Sequence, residues 1–226
     1  MKIFGKTALC ALLATSAVSI AAPAAAQVNG MATVDVAMTV VSSQALQNGY
    51  QLVGTQYQAQ RTTIDQRTQQ RQELLRAFDT NNDAQLDEAE AAPLQDPTNA
   101  TVLQIQAIDA EIQQLQVPIN LARVYVVQQV AQQYSASLQQ VISDRSIQFV
   151  ISPEALVYAP EGVDVTPLVV TALNARLPSV SITPPAGWQP TEQVVNLFQQ
   201  VQNILVMAQQ QQQQAAAPQA PATSGR

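Results

Sequence analysis

The chain has no histidine and a single cysteine, Cys10. Its only lysines, Lys2 and Lys6, fall in the first six residues. From Gln27 onward there is no imidazole base, no thiol nucleophile, no Schiff-base lysine and no phosphate-loop lysine. Disulfides and cysteine-ligated metals are excluded over the same span. Glycine is scarce, at 7 residues, and forms no glycine-rich phosphate loop. Aromatics make up 4% of the chain, so a large compact core is hard to build. Elongated helices sharing a narrow seam need less apolar mass. These absences argue against an enzyme.

The first 26 residues read as an export signal. Lys2 and Lys6 make a positive start, residues 7–22 are an uncharged Ala/Leu/Val-rich core, and Ala24-Ala25-Ala26 gives a small-x-small cleavage pattern. Cleavage is expected before Gln27. Cys10 lies inside this signal and has no lipobox before it, so it is not a lipidation site. No later apolar run is long enough to span a bilayer. The remaining chain carries 8 Arg (10 basic residues minus 2 Lys) against 16 acids, a net charge of −8. So acidic a chain is not expected to bind nucleic acid.

Two long helices are expected. The first runs over residues 38–78, with Val53, Tyr57, Gln60, Ile64, Arg67, Arg71, Leu74 and Phe78 at alternating 4,3 spacing. Nearly half of that seam is polar. The second runs over residues 101–144, with Ile105, Ile108, Ile112, Leu115, Ile119, Ala122 and Val126 on one stripe. Pro118 interrupts the stripe, and a kink is expected at 114–118. The two helices should pair as an antiparallel hairpin. Forty residues at about 1.5 Å each span roughly 60 Å, so the hairpin should project as an arm.

Between the helices, residues 79–100 read as loop, marked by Asn81-Asn82, Pro93 and Pro97. Residues 79–90 match most of an EF-hand loop. Asp79, Asn81, Asp83, Asp87 and Glu90 fall at positions 1, 3, 5, 9 and 12, and Gln85 would offer its carbonyl at position 7. A hard cation such as Ca²⁺ needs this many oxygens on one tight loop. Ala84 stands where the loop needs glycine, at a cost on the order of 1 kcal/mol. Occupied, the loop would stiffen the hairpin tip, with an affinity of about 10⁻⁴–10⁻³ M. The competing reading is a solvated acidic turn in which Asp79 caps a helix end. No other cofactor is expected.

The Arg61–Arg76 stretch is the one basic patch. It would face an acidic partner or lipid head groups in peripheral membrane contact, or stand as a solvated face balanced by the acidic loop. Residues 147–158 hold two β-branched runs, 147–151 and 155–158, around a turn at Pro153. Asp164 or Thr166 then opens a short helix with Pro167 in its first turn. Residues 179–190 are Pro-rich and extended, with Trp188 packing this tail on the body or anchoring a partner. A last helix opens at Thr191 and Glu192. Residues 209–226 are of low complexity and expected to be disordered.

A strand at 32–36, two long helices, the β-turn-β of Phe149-Val-Ile and Ala155-Leu-Val-Tyr158, and a helix after Asp164-Val-Thr166 resemble the OmpH/Skp family of periplasmic chaperones. The resemblance covers about residues 29–177. It implies an α+β fold in which three protomers combine their strands into a small β body. Each protomer sends out one long helical arm, and the homotrimer holds unfolded outer-membrane proteins without ATP. The domains would be a signal peptide (1–26), the chaperone domain (27–178, with its arm at 38–146) and a C-terminal extension (179–226). A calcium-controlled helical hairpin and a structural coiled-coil envelope adaptor are the alternatives. Unlike well-studied members, this chain has an acidic, lysine-free arm.

Overall fold

The computed structural model describes residues 30–216, Glu161 excepted. The expected export signal and residues 217–226 lie outside the described residues. Among the described residues the fold is α+β: seven α-helices, one of them very long, and a two-stranded parallel sheet.

Strand β1 (Met31–Thr33) pairs in parallel with β2 (Phe149–Ile151), Ala32 opposite Val150. Gly30, at φ +84°, turns the chain into β1, and its carbonyl accepts from Gln148 and Phe149, both at 2.7 Å. The other edge of β1 is also taken. Thr33 N donates to Val163 O and Val165 N donates to Thr33 O, both at 2.9 Å.

The expected second run of the β-turn-β does not form a strand. Pro153–Ala155 makes a 3₁₀ turn, and residues 156–160 follow without regular structure. Pro153 lacks a ladder donor, and the chain past its 3₁₀ turn does not return to the outer edge of β2, which stays unpaired among the described residues. Val157 and Tyr158 are thereby left exposed.

The single helix expected over residues 38–78 is three helices: α1 (Val36–Ser42), α2 (Gln44–Gln56) and α3 (Gln58–Arg76). Ser43 makes the first break. Its fully buried hydroxyl donates to Val40 O at 2.7 Å and accepts from Leu46 N at 3.2 Å, so it caps α2 while leaving α1. This local side-chain bonding competes with continuation of the helix. Tyr57 makes the second break, at φ −104° and ψ 22°.

The tip, expected as loop, contains a short helix, α4 (Glu88–Ala91), and a 3₁₀ turn, Ala92–Gln95. Helix α5 (Ala100–Arg145) starts at the Asn99 cap and continues through Pro118. Its 46 residues span roughly 70 Å. Left-handed Ser146, at φ 52°, ends it.

Helix α6 (Thr166–Arg176) follows the edge segment. Thr166 Oγ1 accepts from Asp35 N at 3.1 Å, tying the start of α6 to the cap of α1. Helix α7 (Glu192–Ala216) includes the glutamine run at 209–214, expected as disordered. Glutamine is a good helix former, and a helix already nucleated on the body extends through it at little cost.

The main core joins α1, α2, α5, α6 and α7 through Val40, Leu46, Val126, Val130, Leu173 and Val201. Along the hairpin, Val53, Tyr57 and Ile64 meet Ile119 and Ala122. At the tip, Leu74 and Phe78 meet Val102 and Ile105. All of these but Val102, one turn before the expected stripe, are seam positions given by the 3,4 spacing.

Candidate functional site

Three regions carry exposed chemistry: the arm, its tip and the open edge of the sheet. On the arm, the polar seam positions of α3 find acidic partners on α5. Arg71 Nε donates to Asp109 Oδ1 at 2.7 Å. Arg67 Nε lies 2.8 Å from Glu111 Oε2 as a charge contact without hydrogen-bond alignment. All four side chains are more than a third exposed, so each pair contributes roughly 0–1 kcal/mol. They keep the hairpin aligned without a continuous apolar seam. Leu52, Leu103, Val117 and Leu121 stand exposed along α2 and α5. The arm therefore offers scattered apolar points on a polar surface.

The tip loop is held by its own side chains. Asp79 Oδ2 accepts from Ala84 N at 3.0 Å, Asn81 Oδ1 from Asp83 N at 2.8 Å, and Asp83 Oδ1 from Gln85 N at 2.8 Å. Ala84 does adopt the left-handed backbone of an EF-hand's sixth position, at φ 63°. Asp87 caps α4 in a capping box with Glu90.

Glu90 is buried and turned inward on the loop. Its Oε1 accepts from Thr80 N and Thr80 Oγ1, both at 2.7 Å, and from Asn81 N at 3.1 Å. The Thr80 hydroxyl bond leads the effects that hold this carboxyl below the usual glutamate range. Among the described residues no group of three or more His, Cys, Asp and Glu is gathered to hold a metal. Asp79 Oδ1 is buried without a hydrogen-bond partner.

At the body, the outer edge of β2 is unpaired among the described residues. Phe149 is 64% exposed there. Met31, Val36, Val150, Val157 and Tyr158 are exposed as well. A row of free backbone groups flanked by apolar side chains is a template for pairing with another chain.

The C-terminal extension packs on the root of the arm. Trp188 lies edge-on to Tyr125, with ring centres 5.1 Å apart, and its Nε1 donates to Gln128 Oε1 at 3.0 Å. Gln202 Nε2 donates to Tyr50 Oη at 3.1 Å. Burial pushes the Tyr50 phenol up to about 12, against smaller opposing effects of Arg123 and Gln202. Reasoning from sequence found Trp188 but missed Gln128, Gln129 and Gln202. Nothing local marks these three among so many glutamines.

Among the described residues no helix is long and apolar enough to cross a membrane. The family model of OmpH-like outer membrane proteins matches residues 30–173, well over half of the chain. No curated protein matches. The chain is similar to the crystal structure of a proposed outer membrane chaperone (OmpH-like) from Caulobacter crescentus CB15. Identity is 19%, coverage is 84% of this chain and 98% of that one, and the TM-score is 0.40. So loose a superposition leaves the family match over residues 30–173 as the ground for kinship.

Proposed function

The chain belongs to the OmpH-like family of outer membrane proteins, and from that premise we propose that it is an ATP-independent holdase of the periplasm. Its clients are unfolded outer-membrane β-barrel proteins, and it works as a homotrimer. The observation that carries the reading is the arm: a hairpin of α3 with the first half of α5, whose second half lies in the body core, bearing isolated exposed apolar side chains on a polar surface. Such points make many weak, fast-exchanging contacts with a non-native chain. They do not form the contiguous patch that would fix one partner. No covalent step is involved.

The trimer is supported by the free edge of β2 and by the exposed Phe149, Val157 and Tyr158 beside it. A two-stranded sheet is too small to stand alone, and neighbouring copies would cover its edge. The test is dilution of a urea-unfolded porin into buffer containing increasing amounts of the chain, without ATP, followed by light scattering. Suppression that saturates near three chains per porin supports the reading. Unchanged scattering at large excess removes it.

A second reading adds calcium at the tip. It is supported by the left-handed Ala84 and the unpartnered Asp79 Oδ1. Glu90 would have to leave the Thr80 and Asn81 amides to join Asp79, Asn81, Asp83, Gln85 and Asp87 around the ion. The metal would then stiffen the arm's end rather than take part in any reaction.

A further inference from the structure

We propose that the face formed by α2 and α5 around Gln129 is a binding site for extended polypeptide. Residues 179–190 occupy it as an internal stand-in for a client. The proposal rests on the client class given above and names where and how such a client is held.

Gln129 carries the argument. Its Nε2 donates to Ser181 O at 2.7 Å, and its Oε1 accepts from Ser181 N at 2.9 Å. One side-chain amide thus satisfies both backbone groups of one residue, just before the segment bends at Ile182 and Thr183. The second hydrogen of Nε2 reaches Tyr125 O at 3.1 Å, which fixes the orientation of the amide. A contact made only to backbone is indifferent to the side chain at that position, proline excepted.

The neighbours of Ser181 supply the apolar contacts. Val180 packs with the core around Val126 and Leu46. Ile182 also reaches Val53, Ile119 and Ala122. A Cβ at Gly49 would stand 2.8 Å from both Val180 Cγ2 and Val126 Cγ1, so glycine is what lets the segment approach α2 so closely. Burial alternates along the segment: 180, 182 and 184 are half-buried, while 179, 181 and 183 are exposed. Backbone bonding with alternate side-chain contacts resembles the way an added strand is held at a sheet edge, here over 180–182 only and with a glutamine side chain in place of the edge.

No residue of 179–190 is fully buried, so this hold is shallow. The segment is tethered at one side through Leu173 of α6 and at the other through Val201 of α7, both fully buried. Neither anchor lies within the segment itself. Transmembrane strands of β-barrels alternate apolar and polar residues, the same pattern as Val180-Ser181-Ile182. Capture through backbone and alternate side chains needs no positive charge, which suits a chain of 10 basic and 16 acidic residues.

Trp188 is the chain's single tryptophan and reports on the segment directly. The probe is a fluorescein-labelled twelve-residue peptide alternating valine with serine or threonine. A peptide of the same composition with its valines in one block is the control. The full chain is expected to bind the alternating peptide in preference to the control, with the Trp188 emission moving to the red as the segment is displaced. Val180→Ser/Ile182→Ser empties the groove and should tighten peptide binding about tenfold, by removing internal competition. Ser181→Pro removes the N–H that Gln129 accepts and should act in the same direction. It carries the comparison if the double variant loses its cooperative melt. Gln129→Leu should bind the peptide more weakly than either segment variant. Equal affinity across all four proteins, or a Trp188 emission that stays fixed at saturating peptide, overturns the proposal. Porin suppression is read separately. Suppression without peptide exchange overturns this site alone; peptide exchange without suppression keeps the site and removes the holdase reading.

Discussion

Arg71 and Asp109 meet at 2.7 Å across the hairpin, where the heptad spacing of α3 calls for a core residue. Asp109 follows Ile108, a buried residue of the α5 stripe. The pair lets an arginine occupy a seam position while remaining more than a third exposed.

A double-mutant cycle on Arg71→Ala and Asp109→Ala should therefore give a coupling of about 0.2–1 kcal/mol in urea melts. The coupling should shrink further in 0.5 M salt, about half a molar, because screening reaches exposed pairs. A coupling well above that range would mean that the hairpin depends on this contact more than its exposure allows.

The Tyr50 phenol, pushed up to about 12 by burial, makes the body sensitive to alkali. A group whose folded pKa is raised contributes stability that is complete below its unfolded value of 10.0 and lost as pH rises toward 12. Urea melts should show a loss of up to about 3 kcal/mol across that window, and Tyr50→Phe should remove most of it. Phenolate absorbance checks the titration itself. A Tyr50 titrating near the ordinary tyrosine value would show that the α2–α7 contact does not exclude water.

At the tip, the calcium reading predicts a gain of about 1.4 kcal/mol when free Ca²⁺ stands tenfold over its dissociation constant. Thermal melts in calcium and in chelator measure it, and Asp79→Ala should abolish the difference. Without metal, Glu90 has its carboxyl held below the usual glutamate value of 4.5. Protection of the Thr80 and Asn81 amides is then expected above that value and lost as pH falls through the depressed pKa. Glu90→Gln should leave this protection independent of pH. Melts that superimpose with and without calcium would remove the metal reading.

The exposed edge of β2 predicts an assembly defect. Phe149→Glu with Val157→Asp should shift sedimentation from trimer toward monomer while leaving helix content unchanged, since neither side chain belongs to a core cluster of the chain. An unchanged sedimentation coefficient would place the contact between copies elsewhere.

The seam of the hairpin was legible in the sequence because 3,4 spacing reports directly on one helix face. Val53, Ile64, Ile119 and Ala122 meet where that spacing puts them. The interruptions were not legible. Ser43 breaks the first helix through bonds of its own buried hydroxyl, which periodicity does not register. Residues 155–158 have strand composition, yet Pro153 opens a 3₁₀ turn after which the chain does not return to the free edge of β2. The tip motif was visible residue by residue, but the inward turn of Glu90 onto Thr80 is a matter of three-dimensional competition for its oxygens. Gln129 was invisible because its role comes from meeting Ser181, 52 residues away.

The most direct test of the account is sedimentation velocity on a mixture of the chain with a urea-diluted, fluorescently labelled porin. The account predicts one soluble species containing three chains and one porin, with the porin lacking β-barrel circular dichroism. Porin that pellets while the chain sediments at its own unmixed coefficient would contradict it.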